Sequence, residues 1–225
     1  VLIALVLALS FIQGFANVSA ADSTSNLYVG YPNKTNNFST IQDAVNECAK
    51  INPSSESERV TIHIAPGTYR KQLIINTPYI SFVNEEPQKG DVVITWYYGI
   101  GYKYYSVGQD GYYNADNAAA KSSKLEPTTR WGCTVQLKSK ATDFMAENII
   151  FENSFNRYVT SEEIADGVEP SGSQSITYDR TASNADVKSK AATERGAAIA
   201  VEGDHAQFLN CSFLGSQDTL YTGNN

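Results

Sequence analysis

The sequence predicts an all-β chain wound as a right-handed parallel β-helix, with one short helix capping its N-terminus. Three observations predict it. After a single amphipathic helix, the apolar segments are short and separated by Gly, Asn or Asp, with no helical segment between them, so βαβ units are excluded. A weak internal repeat lays "AENIIFENS" on "FLNCSFLGS", matching Asn148 with Asn210, Phe151 with Phe213 and Ser154 with Ser216. An Asn beside an apolar strand, with an aromatic three residues on, suits a coil stacked on copies of itself: amides bond along the stack and rings stack inside. The competing architecture, an antiparallel sandwich, favours tight Asn-Gly or Asp-Gly hairpins. No Asn-Gly occurs, and the Asp-Gly pairs before Tyr112 and before Val168 lie in the two long polar stretches.

The chain opens on "VLIALVLALSFIQGFANVSAADST". Residues 1–12 are almost wholly apolar, and Val18, Ser19 and Ala20 fit a small-x-small cleavage site. Residues 1–20 therefore read as a secretory signal peptide whose charged n-region is missing, and secretion is expected. The apolar run is shorter than the roughly 20 residues of a lasting anchor, so no membrane association is expected. Residues 21–36 read as a polar leader. Residues 37–225 read as the N-terminal part of one β-helix domain, enough chain for a real core and expected as a monomer.

In "FSTIQDAVNECAKI", residues 38–51, Ile41, Ala44, Val45, Cys48 and Ile51 fall at helical spacing, with Ser39 or Thr40 as N-cap. Everything after it reads as β. Strands are expected at 60–64, 71–76, 79–85, 91–98, 133–139, 143–154, 196–203 and 206–216. Two segments do not fit the coils. Residues 97–131 hold seven of the fourteen tyrosines, and residues 155–195 are polar with few apolar anchors. Long loops on a rigid scaffold are where binding usually resides. Two readings of the tyrosines stand: a surface that stacks on sugar rings, or a loop that packs on itself.

The net charge of −7 offers no basic patch for nucleic acid. Three cysteines far apart, Cys48, Cys133 and Cys211, make no disulfide scaffold, and Cys211 reads as a core thiol. Two distant histidines give a zinc site little support, so neither metal nor cofactor is expected.

The sequence ends in "GSQDTLYTGNN". On its own, Asp218 in "SQDT" reads more readily as a turn residue accepting backbone hydrogen bonds than as a catalytic one. The region 194–221 resembles the pectin methylesterase (pectinesterase) family, carbohydrate esterases that demethylate pectin. "QDTLY" after a strand and a Gly is among that family's most specific motifs. "STIQDAVN", "IHIAPGTYRKQL", "TTRWGCTVQL" and "DFMAENIIFENS" resemble further family segments in the same order, from about residue 38 onward. The resemblance implies a metal-free mechanism with two aspartates. One attacks the methyl ester of homogalacturonan. The other, matching Asp218, protonates the leaving methanol and then acts as base on water. Gln217 matches an oxyanion donor, and a Gln amide offers two N–H donors without adding charge. A general acid at neutral pH needs a raised pKa, which burial or a second carboxylate supplies.

Departures are equally specific. The family's Gln 22 residues before the motif's own Gln is Arg195 here, able to donate to an oxyanion, clamp a uronate carboxylate or form an ordinary ion pair. Lys71 stands where the family has Glu. Thr129 and Tyr221 match substrate-contacting positions. The nucleophilic Asp and its partner Arg belong to "DFIFG" and "GRPW" motifs that these 225 residues lack, so the sequence reads as a fragment that by itself would be inactive. The alternatives are a non-catalytic polysaccharide-binding β-helix, which the Tyr-rich loop would serve, and a pectate or pectin lyase, which "QDTLY" does not suit.

Overall fold

A computed structural model describes residues 25–106, 128–187 and 194–223. The signal-peptide reading over 1–20, Tyr112 and Tyr113 lie outside the described residues. The chain enters through β1 (Asn26–Val29) and β2 (Asn37–Phe38), then forms helix α1 (Ile41–Ile51). Four coils of three strands follow. Coil one holds β3 (Val60–Ile64), β4 (Gly67–Arg70) and β5 (Leu73–Ile75). In coil two, β6 (Ile80–Val83) and β7 (Val92–Trp96) are followed by β8 (Tyr102–Tyr104) and β9 (Thr128–Thr129) before β10 (Cys133–Leu137) closes the turn. In coil three, β11 (Met145–Glu147) and β12 (Ile149–Asn153) are followed by helix α2 (Ser161–Asp166) and β13 (Val168–Pro170) before β14 (Ala197–Val201). Coil four is β15 (Gln207–Leu209), β16 (Ser212–Leu214) and β17 (Leu220–Thr222). Corresponding strands stack into three parallel sheets, β15-β11-β6-β3-β1-β2, β16-β12-β7-β4 and β17-β14-β10-β5, which is a parallel β-helix.

The register explains the repeat. Ile62, Phe82, Ala146 and Phe208 form one inward column, Tyr69, Ile94, Phe151 and Phe213 a second, and Leu73, Val135, Ile199 and Leu220 a third. Phe151 and Phe213 stack with centroids 5.7 Å apart and planes 11° off parallel, as the aligned motifs require. The matched asparagines also meet: Asn210 Nδ2 donates to Asn148 Oδ1 at 2.6 Å, and Asn148 Nδ2 to the Asn84 carbonyl at 3.1 Å.

Those asparagines change the strand boundaries. Segments 143–154 and 206–216 are each two strands rather than one, broken where Asn148 and Asn210 take φ of 57° and 51°. Asn enters this left-handed region at little cost. The break turns the chain from the first sheet into the second. A second column of positive-φ residues, Tyr79, Asp143 and His205, turns the chain from the third sheet back to the first.

Two further expectations are corrected. The polar leader is not outside the fold, because β1 pairs in parallel with β3 from Asn26↔Thr61 to Val29↔Ile64 and buries Leu27 and Val29. The chain after α1 is not wholly β, because α2 forms within 155–195, capped by Thr160 accepting from the Glu163 N–H.

Helix α1 caps the stack as expected. Thr40 Oγ1 accepts from the Asp43 N–H, and Asn52 ends the helix at φ 55° with its N–H on the Cys48 carbonyl. Ile41, Ala44, Val45 and Cys48 face the core. Beside them Gln42, 2% exposed, accepts from the Ile74 N–H and donates to the Ile74 carbonyl. One side-chain amide thus supplies the pairing that an additional strand would give the free edge of β5. At the far end coil four is more open, with Leu209 and Leu220 the exposed large apolar side chains among the described residues. Cys48 and Cys133 are buried, burial pushes both thiols up, and Cys211 is half-buried against the core.

Candidate active site

Every coil passes from its second to its third sheet through one corner. In coil one that corner is Lys71–Gln72 and in coil four Gly215–Thr219, but coils two and three carry their long insertions there. The stacking therefore sets Gln217 and Asp218 on the corner column from which both insertions leave. The insertions pair with each other through β13, antiparallel to β8, and β8 pairs antiparallel with β9 within the first insertion.

The insertions are held by their own buried groups. Tyr97, Tyr98, Tyr102 and Tyr104 are each no more than 1% exposed and pack with Trp96 and Phe155. Asp166, fully buried, accepts from Tyr97 Oη at 2.6 Å and from the Ser106 N–H and Oγ at 2.6 and 2.5 Å, while burial raises its carboxyl. For these four rings, self-packing displaces the sugar-stacking reading of the Tyr-rich loop. In the second insertion Arg180 donates to Glu163 at 2.6 Å and to Glu194 at 2.5 Å, with its guanidinium 3.9 Å from the Phe155 ring centroid. Glu194 precedes Arg195, so this clamp anchors the chain where it re-enters the coil.

Asp218 sits at φ 55°, and its Oδ2 accepts from Arg195 Nη1 at 3.0 Å. Both side chains are about one-third exposed, 37% and 36%. The burial expected around a general acid is therefore not found at Asp218. The physical reason is the position of Asp218 on coil four, over which no described coil is stacked. Arg195 takes the ion-pair role among the three that its sequence position allows. Its carbonyl accepts from the Ile100 N–H of the first insertion at 2.8 Å. The next residue, Gly196, lies against Asn153, where a Cβ would come within 2.8 Å of the amide.

The Gln217 carbonyl accepts from Asn156 Nδ2 at 3.1 Å and from the Gly196 N–H at 3.4 Å. Its side-chain amide makes no hydrogen bond among the described residues, which leaves two N–H donors unused beside Asp218. Tyr221 lies on β17 opposite Ala200 and meets Trp131 edge-on, centroids 5.0 Å apart. Trp131 is held by its Nε1 donating to Glu202 at 3.2 Å. Thr129 lies elsewhere, on β9 opposite Lys103 in the small antiparallel sheet. The structure thus gathers Gln217, Asp218 and Arg195 on one corner, puts Tyr221 on the adjoining strand, and leaves Thr129 on the insertion. Sequence reasoning missed Asn156, Trp131 and the Arg180 clamp. Among the described residues no group of three or more His, Cys, Asp or Glu could hold a metal ion.

Fold and site together define a parallel β-helix protein with an exposed carboxylate–guanidinium pair and, among the described residues, a Gln amide without a hydrogen bond at one corner of its stack. No known protein-family profile matches the chain. It is 31% identical over 187 residues to Pectinesterase QRT1 of Arabidopsis thaliana, covering 82% of this chain and 35% of that protein. Pectin methylesterase PemA from Erwinia chrysanthemi shares the fold with a TM-score of 0.51 and 21% identity, over 88% of this chain and 45% of that one. A pectin methylesterase solved in complex with a hexasaccharide matches with a TM-score of 0.51 and 21% identity, over 87% and 45%. This chain belongs to the pectinesterase family. It spans about a third of that Arabidopsis relative's length and under half of the two solved chains.

Proposed function

We propose that this chain contributes Asp218, Gln217 and Arg195 to a secreted, monomeric esterase that demethylates methyl-esterified homogalacturonan without metal or cofactor. The observation that carries the reading is the corner itself: an unengaged Gln amide next to an exposed Asp held by Arg195. The membership of the family and the hexasaccharide bound by one structural neighbour support a polysaccharide substrate.

In the proposed reaction an attacking aspartate, expected in a motif that these 225 residues lack, adds to the ester carbonyl. Gln217 donates an N–H to the oxyanion that forms, an interaction worth roughly 3 kcal/mol of barrier when well aimed. The C–O bond to the methoxy group breaks, Asp218 gives that oxygen a proton, and methanol leaves. Asp218 then takes a proton from water, whose oxygen attacks the acyl–enzyme carbonyl and releases the uronic acid. Arg195 orients the Asp218 carboxyl group, as acid in the first step and as carboxylate base in the second, and Tyr221 with Trp131 forms an aromatic wall beside the sugar. The net charge of −7 suits a substrate whose carboxyls are esterified rather than free.

A polysaccharide-binding protein without turnover is the second reading, and the exposure of Asp218 favours it. The protein expressed from its complete reading frame, assayed for methanol release from highly methylated pectin in the presence of a chelator, separates the two. The esterase reading expects release that an Asp218→Asn variant loses, and no unsaturated product. Binding without methanol would establish the second reading, and unsaturated product a lyase.

A further inference from the structure

We propose that Asn156 is a positioning residue, whose side chain sets the geometry of the Gln217–Asp218 turn and through it the approach of Asp218 to Arg195. The inference rests on the esterase reading of that corner. Asn156 is 2% exposed and lies at the root of the second insertion, three residues past β12. Both polar atoms of its side chain are spent on one turn of the next coil, about 60 residues away. Oδ1 accepts from the Ser216 N–H at 3.1 Å, and Nδ2 donates to the Gln217 carbonyl at 3.1 Å. Its own carbonyl accepts from Ser216 Oγ at 2.7 Å.

These bonds hold the peptide entering Ser216 and the peptide that joins Gln217 to Asp218, one on each side of the 216–217 peptide. With the Gln217 carbonyl pinned and Asp218 at φ 55°, the direction of the Asp218 Cα–Cβ bond follows from the backbone. The other leg of the site hangs from the same short segment. Asn153 Nδ2 donates to the Ala197 carbonyl at 3.0 Å, beside Gly196 and Arg195. Asn153 and Asn156 thus fix the Arg195 leg and the Asp218 leg relative to each other. That spacing sets the 3.0 Å ion pair. A misplacement of about 1 Å at a reacting group can cost on the order of a hundredfold in rate.

The test uses Asn156→Ala and Asn156→Asp in the complete protein, with kcat and KM for methanol release and backbone hydrogen exchange over residues 214–220. Ala removes both side-chain bonds. Asp keeps an acceptor for the Ser216 N–H but sets an oxygen against the Gln217 carbonyl, so it should restore nothing. The expected result is a fall in kcat of about tenfold or more in both variants with KM within twofold. Exchange should quicken at residues 216–218 and stay unchanged in the strands. A kcat within twofold of wild type in either variant overturns the proposal. So does faster exchange throughout the coils, which would make Asn156 a general stabilising group. If the wild-type protein releases no methanol, the esterase reading fails by itself. Asn156 is then judged on exchange alone: unchanged rates at 216–218 overturn its role, and faster rates confined there sustain it.

Discussion

Replacing Glu163 by Gln should remove a pH-dependent part of the protein's stability. Glu163 is 1% exposed, and burial pushes its carboxyl from the usual 4.5 up to about 7, against the pull of Arg180 at 2.6 Å. The charged and titratable groups facing it are Arg180, Glu194 and Tyr104, with the hydrogen-bonding backbone of Thr160 beside them. A folded-state value above the unfolded one means that between about pH 4.5 and 7 the folded chain holds a proton that the unfolded chain has released. Stability should therefore fall as pH rises through that window, by roughly 3 kcal/mol for this group. Gln keeps an oxygen for Arg180 and places its amide where Glu163 Oε2 has no partner, so the native contacts survive. Measured by urea unfolding at pH 4.5, 5.5, 6.5 and 7.5, the variant should gain on the wild type by roughly 3 kcal/mol across the series. A difference constant with pH to within about 0.5 kcal/mol would refute the reasoning, since that is the size expected of a substitution with no titrating partner.

Three other substitutions probe the remaining layers. Phe151→Ala removes a fully buried ring stacked on Phe213 and should cost about 3–5 kcal/mol in chemical denaturation; a cost under about 1 kcal/mol would mean the column does not carry the coil. Gln42→Ala strips both partners from the Ile74 backbone and should cost about 1–3 kcal/mol, with faster amide exchange at Ile74 as the local marker. Gly196→Ala places a Cβ within 2.8 Å of the Asn153 amide and should lose about 1–3 kcal/mol together with methanol release; unchanged melting and activity would show that this corner has slack.

The coils were legible because their cause is local and repeated. Inward positions recur along each strand, and the Asn–Phe–Ser spacing of 148–154 recurs at 210–216, so stacking could be read from one line of text. The breaks at Asn148 and Asn210 were not legible, because one positive-φ residue inside an apolar run leaves its periodicity almost unaltered. Strand β1 was hidden for another reason: four residues among polar ones gain their burial from β3, more than thirty residues on. Helix α2 inverts the usual pattern, since the residues it buries are Glu163 and Asp166, whose carboxyls are held by Arg180, Tyr97 and Ser106. Of the site, the motif supplied Gln217 and Asp218 and the count of 22 residues supplied Arg195. Asn156 gave no signal, because its partners are 60 residues away and a polar residue in a polar loop looks solvated.

The same physics explains why the site sits at one corner of the three. The turn from the first sheet to the second is closed by asparagines that bond along the stack, and the turn from the third to the first by positive-φ residues in successive coils. The first of these turns keeps its column even where it is longer, since in coil two Asn84 accepts from Asn148 and residues 85–91 follow it before β7. The remaining corner has no such column, so the chain can leave after β7 or β12 and return at β10 or β14 with every strand still in register. What must then be secured is the point of return, and this chain does so with buried polar groups: Gln72 donating to the carbonyls of Trp131 and Cys133, Asn153 to that of Ala197, and Arg180 gripping Glu194. Gly215–Thr219 spans the same corner without an insertion, directly above two segments fixed in this way. Substitutions in the columns should therefore act on stability, whereas those at the root of the second insertion, Asn153 and Asn156, should move Arg195 and Asp218 relative to each other while the coils stay folded.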